Sequence, residues 1–208
     1  MKAFTIVAAC LFLLTGCSTI TTYNQSLKDY EGDDRVGIAF GMTFTSTFSK
    51  FDRQVRVYPE TLRCIDLYSE RNGFVSGNLY GDSVPDNKFI GVPEVEGMSK
   101  NRAEFWVSAK DNISIRTIYT GFVKQEGSFP NISKVSESLV SFKPEAGAFY
   151  YVMVDMEKVD PITLKYLRVY KITEDAEGKL TLKHVDNIPQ INNCPGQQPW
   201  FTKMAAVI

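Results

Sequence analysis

Four cysteines and one histidine are the residues of this 208-residue chain with the most selective chemistry. Histidine matters first, because many nucleophilic hydrolases and metalloenzymes use it as base or ligand. The single His184 stands between Lys183 and Val185 and alternates with Leu182, which places it on the surface of an edge or hairpin strand. The chain holds no Gly-x-Ser-x-Gly elbow, no phosphate-cradling glycine loop and no His-Glu-x-x-His pair, so histidine-dependent hydrolysis and metal chemistry are disfavoured. Carboxylate chemistry asks less, since two acids about 5 to 9 Å apart suffice to cleave a glycosidic bond. Asp66, Glu104, Asp155 and Glu157 are candidates for meeting across strands, although any domain with 24 acids contains such pairs. The run Asp29, Glu31, Asp33, Asp34 has no calcium-loop pattern and reads as a solvated linker. No metal and no cofactor is expected.

The cysteines are more informative, and Cys17 is the first of them to explain. A positive start, Lys2, precedes an apolar run over residues 3–14, then small residues and Cys17, which is the order of an export signal. Twelve residues make about 18 Å of helix, whereas crossing the hydrocarbon core takes about twenty residues, so the run is too short for a permanent span. The tetrapeptide Leu14-Thr15-Gly16-Cys17 resembles the lipobox of bacterial lipoprotein signal peptides. That resemblance implies lipid on the Cys17 sulfur, cleavage on its amino side after residue 16, and acyl chains such as palmitate on the new amino terminus. Several chains together anchor stably where one alone holds only marginally. Ser18, in place of an aspartate, implies sorting to the periplasmic face of the outer membrane of a Gram-negative cell. An ordinary secretory signal cut elsewhere and a buried apolar helix are the competing readings.

With residues 1–16 gone, Lys2 is lost and the chain keeps 22 basic and 24 acidic side chains, a formal charge of about −2. Its lysines and arginines are scattered and form no basic stripe, so no nucleic-acid partner is expected. Cys10 leaves with the signal and Cys17 is taken by lipid, so Cys64 and Cys194 remain as a pair. The oxidising periplasm favours a disulfide between them, with two separate buried thiols as the alternative. A metal site is less favoured, because two cysteines and His184 lack ligand spacing.

Residues 17–34 carry the lipidated cysteine and then a stretch rich in Ser, Thr, Asn, Gln and Asp, which predicts a flexible tether. Residues 35–208 form one domain, a size that suits a single core. Val36, Ile38, Phe40, Met42, Phe44 and Phe48 alternate with Gly37, Ala39, Gly41, Thr43, Thr45 and Thr47, the period of a half-buried strand, with a break near Thr45 or Ser46 able to split it. Further strands are predicted over residues 54–58, 63–68, 104–108, 113–119, 139–142, 148–156, 164–172 and 180–185. Turn chemistry separates them at Asn72-Gly73, Pro85-Asp86-Asn87 and Glu177-Gly178. Strands 164–172 and 180–185 read as one hairpin. The pattern predicts an all-β fold, an antiparallel β-sandwich, with no long helix.

The stretch Val140-Ser141-Phe142-Lys143-Pro144-Glu145-Ala146-Gly147-Ala148-Phe149-Tyr150-Tyr151-Val152 resembles the strand, Pro/Gly turn, aromatic strand hairpin of small bacterial lipoproteins with immunoglobulin-like or transthyretin-like sandwiches. It covers under a tenth of the chain, and a fold alone does not assign function. Trp106, Tyr119, Phe122, Phe129, Tyr150, Tyr151 and Trp200-Phe201 read as core filling rather than a carbohydrate or peptide platform. The tail Pro195-Gly196-Gln197-Gln198-Pro199 ahead of Trp200 reads as a cap on one sandwich end or an insert into a partner. The expected function is a nonenzymatic, lipid-anchored interaction or assembly module that meets an envelope protein. A carboxylate-dependent enzyme or binding protein for envelope glycan and a secretion-apparatus lipoprotein are the alternatives.

Overall fold

Alternating side chains make strands here because one face can enter a core while the other is covered separately. The computed structural model describes residues 25–42, 52–75, 88–123, 132–154, 167–189 and 191–198. Among these, the strands are β1 (Arg35–Met42), β2 (Asp52–Thr61), β3 (Gly73–Phe74), β4 (Arg102–Ser108), β5 (Asn112–Val123), β6 (Ile132–Phe142), β7 (Phe149–Val154), β8 (Leu167–Glu174) and β9 (Leu180–His184). They form a five-stranded sheet in the order β4-β1-β7-β8-β9 and a four-stranded sheet in the order β3-β2-β5-β6. The fold is all-β and sandwich-like, as the alternation predicts. Pairing is antiparallel throughout except between β1 and β7, which run parallel with Ile38 opposite Tyr150 and Phe40 opposite Val152.

Between the sheets lies one apolar core built from alternate positions. The five-stranded sheet supplies Val36, Ile38 and Phe40, Phe105 and Val107, Val152 and Val169; the other supplies Val55 and Val57, Ile113 and Ile115, Val140 and Phe142. Strand β1 is not half-buried as its alternation suggests. Its second face is covered too, with Ala39 buried against Val92, Val95, Tyr151 and Ile172.

Four expectations are corrected by the pairing. Residues 139–152 are not a hairpin: β6 belongs to the four-stranded sheet and β7 to the five-stranded one, so the Pro144 to Gly147 turn arches from sheet to sheet. The amide of Gly147 donates to Arg35 O at 2.8 Å and that of Gly37 to Ala148 O at 3.2 Å, which draws the arch onto β1. Residues 63–68 are bends and turns carrying one bridge, Ile65 opposite Asn193. Strand β2 instead runs on past Pro59 through an irregularity between Tyr58 and Thr61, where Glu60 adopts φ 58° and Pro59 needs no ladder donor. Gly73 lies in β3, and the turn falls just before it, closed by Asn72 N donating to Ser69 O at 3.1 Å. The β8–β9 hairpin forms as predicted, with Glu174 opposite Leu180.

The fourth correction concerns the tether. From Gln25 onward the segment expected to be free is docked on the body. Leu27 N donates to Phe74 O at 2.7 Å and Phe74 N to Gln25 O at 3.0 Å, adding a parallel rung beside β3. Leu27 is 5% exposed and joins the core between the sheets. The chain then crosses to β4, where Tyr30 N donates to Trp106 O at 2.9 Å and Ala109 N to Asp34 O at 2.7 Å. A polar composition hid one apolar residue placed to close the open side of the sandwich, between edge strands β3 and β4.

Candidate functional site

The corner around Gln25, the first described residue, is built from three separate parts of the chain. Gln25 Nε2 donates to Glu70 O at 2.7 Å and Asn72 O at 2.5 Å, fixing the segment against the loop that follows β2. That loop is also held by the C-terminal tail. Cys64 and Cys194 are at disulfide distance, with Cα atoms 4.8 Å apart, as the sequence reading expects. Around them Ile65 N donates to Asn192 O, Cys194 N to Ile65 O, both at 2.9 Å, and Leu67 N to Gln197 Oε1 at 2.7 Å. Gln197 Nε2 reaches Asp66 Oδ1 at 2.8 Å. Beneath the tail, Tyr58, Ile65 and Leu67 are buried with Leu139 and Ile191 packed against them. The Arg116 guanidinium donates to Asn193 Oδ1 at 2.7 Å and lies 5.3 Å from the Tyr58 ring centroid. The described tail, up to Gln198, therefore covers the outer face of the four-stranded sheet, while Trp200 and Phe201 lie outside the described residues.

A second constellation stands on the outer face of the other sheet. Glu104, wholly buried on β4, accepts three backbone N–H groups on one oxygen: Ile90 at 2.8 Å, Gly91 at 3.0 Å and Val92 at 3.0 Å. Its other oxygen accepts Arg102 Nε at 2.8 Å. Gly91 takes φ +98°, the left-handed conformation that lets successive amides point at one acceptor. Burial alone pushes this carboxyl up, but the Arg102 guanidinium and the amides of Val92, Ile90 and Gly91 outweigh it and hold the group below the ordinary glutamate value of 4.5. Segment 88–101 is thereby strapped over the sheet, with Val92 and Val95 against Ala39, Tyr151 and Ile172. Ser99 N donates to the Tyr151 hydroxyl at 2.9 Å. Burial pushes the phenols of Tyr151 and Tyr150 above their usual value, with hydrogen bonds from the Ser99 and Glu145 amides pulling the other way, so both stay protonated at neutral pH.

Of the four carboxylates with a possible catalytic role, the two described ones, Asp66 and Glu104, are not brought together. Asp66 serves the tail corner and Glu104 serves the strap, with no partner in common. Asp155 and Glu157 lie outside the described residues, as do Cys17 and the signal segment. Asp29 is not in a solvated linker: it pairs with Lys88 Nζ at 2.7 Å and accepts Trp106 N at 3.0 Å. Asp34 accepts the Tyr30 hydroxyl at 2.8 Å. Among the described residues no group of His, Cys, Asp and Glu has the arrangement of a metal site. His184 is exposed on β9, an edge strand, with its ring 5.8 Å from that of Tyr170. Of the aromatics, Tyr150 and Tyr151 are buried, and Trp106 is half-buried between Arg35, 4.4 Å from its ring centroid, and Phe149, 6.0 Å away. Side chains at Tyr119, Phe122 and Phe129 are outside the description.

Gln25, Leu27, Arg102 and Gln197 were not legible as site residues. Gln25, Leu27 and Gln197 act through contacts with segments remote in sequence, for which composition and periodicity carry no signal, whereas Arg102 pairs with Glu104 two residues along β4, a same-face spacing that alternation could have shown. Compared with known proteins, the chain matches no family model, no curated protein and no solved structure.

Proposed function

We propose that this chain is a bacterial envelope lipoprotein, cut after residue 16 and anchored by lipid on Cys17, whose sandwich is a nonenzymatic interaction or assembly module on the periplasmic face of the outer membrane. The observation that carries this reading is the tetrapeptide Leu14-Thr15-Gly16-Cys17 at the end of an apolar run. The cysteine geometry supports it: Cys64 and Cys194 are committed to each other, a pairing natural to an oxidising compartment. Of the carboxylates considered for an enzyme, Glu104 is spent on backbone amides and Arg102, which weakens the glycan-hydrolase reading.

Anchoring is tested by mass spectrometry of the protein extracted from membranes, which should show an acylated Cys17 as first residue. Cys17→Ala should leave an unprocessed, unlipidated precursor. A variant that is still processed normally and held fully on the membrane would sink the anchoring. Crosslinking in intact cells, followed by capture of the lipidated chain, tests the assembly role: a reproducible envelope protein supports it, and bait alone counts against it.

A further inference from the structure

The side of the domain that meets the membrane follows from the reach of the chain between Cys17 and Gln25. If Cys17 holds the lipid, only Ser18 to Asn24, seven residues, separate it from Gln25, which is already hydrogen-bonded to the body. Eight peptide steps reach at most about 28 Å even when fully extended. A compact domain of this length is roughly 40 Å across. The tether is thus too short for the side opposite Gln25 to touch the bilayer, and the corner that Gln25 contacts is kept close to it.

That corner carries the most exposed large apolar side chain among the described residues, Leu62 at 70%, together with Tyr68 at 41%. Arg63 is exposed beside Leu62, and Arg71, whose guanidinium is 3.4 Å from Glu60 Oε1, flanks the same loop. Asp66 and Glu70 are exposed here as well, so the loop is balanced in charge, with two arginines and two acids. The Cys64–Cys194 link and the Gln197 contacts fasten the loop to the C-terminal tail. A braced loop presenting Leu and Tyr among arginines matches the chemistry of a membrane interface, where apolar and aromatic groups enter the headgroup boundary and guanidinium groups stay at phosphate level. On the far edge of the five-stranded sheet, Leu180 of β9 is 37% exposed and serves as a reference.

We infer that the loop of residues 62–71 rests on the phospholipid surface, with Leu62 and Tyr68 entering the headgroup boundary and Arg63 at the phosphates. This rests on the lipid-anchored reading above. The test uses the full lipidated chain, reconstituted in phosphatidylethanolamine–phosphatidylglycerol vesicles with or without brominated acyl chains. In Leu62→Trp the added tryptophan should lose about half its emission to brominated lipid, as expected for a side chain 5 to 10 Å into the boundary. Leu180→Trp should add unquenched emission, and Tyr68→Trp gives an independent reading of the loop. Equal quenching at positions 62 and 180 in protein that floats with vesicles and carries acylated Cys17 overturns the docking alone. A chain whose mass shows no lipid on Cys17 overturns the docking and the anchoring together.

Discussion

At the scale of single residues, Glu104 shows how a position named for possible acid–base work is used instead to hold structure. Four donors converge on one buried carboxylate, and that is favourable only while it is ionised. Because its folded value lies below the ordinary 4.5, its contribution is complete above that value and is lost as pH falls through the lower folded one. Glu104→Gln keeps the shape, removes the charge and leaves Arg102 buried beside a neutral amide. It should cost about 3 kcal/mol at pH 7, read from denaturant unfolding. The loss of stability on acidification below about pH 4.5 should also be shallower in the variant than in the wild type. An unchanged acid profile would show that Glu104 is not the titrating group.

At the scale of elements, docking of the N-terminal segment depends on the absence of a side chain. A Cβ placed on Gly73 would lie 2.4 Å from Leu27 Cα and 2.5 Å from Leu27 N, inside backbone that cannot move without undoing the rung to Phe74. Gly73→Ala should therefore expel the segment. Withdrawing Leu27 from the core should lower stability by about 2 kcal/mol and open the chain after Lys28 to trypsin. A variant with the wild-type melting temperature and cleavage rate would mean that the segment docks without help from this contact. The strap over the other sheet is different in kind, held by a charge rather than by a close backbone approach.

At the scale of the whole molecule, the Cys64–Cys194 link spans 130 residues and joins the loop after β2 to the tail, enclosing most of the domain. In the chain-entropy account, closing so long a loop stabilises by about 4 to 5 kcal/mol. The double variant Cys64→Ser/Cys194→Ser should unfold at correspondingly lower denaturant under oxidising conditions, and wild-type protein treated with a reductant should match it. Coincident unfolding curves for oxidised wild type and double variant would rule out a stabilising link. Loosening the tail would also uncover Tyr58, Ile65 and Leu67, so the reduced protein should bind hydrophobic dyes more strongly.

Which residues face a core was legible in the local pattern of side chains. Val36, Ile38 and Phe40, Phe105 and Val107, and Ile113 and Ile115 alternate as strand residues must, and the structure puts each set between the sheets. The sequence also pointed to Cys64 and Cys194 as a pair, and the structure places them at disulfide distance. That residues 139–152 arch between sheets rather than fold back as a hairpin emerges only from how the strands pair. The same holds for residues 63–68 bending around a disulfide, for Leu27 plugging the sandwich from a polar stretch, and for Glu104 becoming a clamp. The physical reason is range. Alternation is a local consequence of the strand backbone and can be read along the chain. Which strands pair, and which buried charge meets which amides, is set by segments far apart in sequence competing for the same core and the same edges.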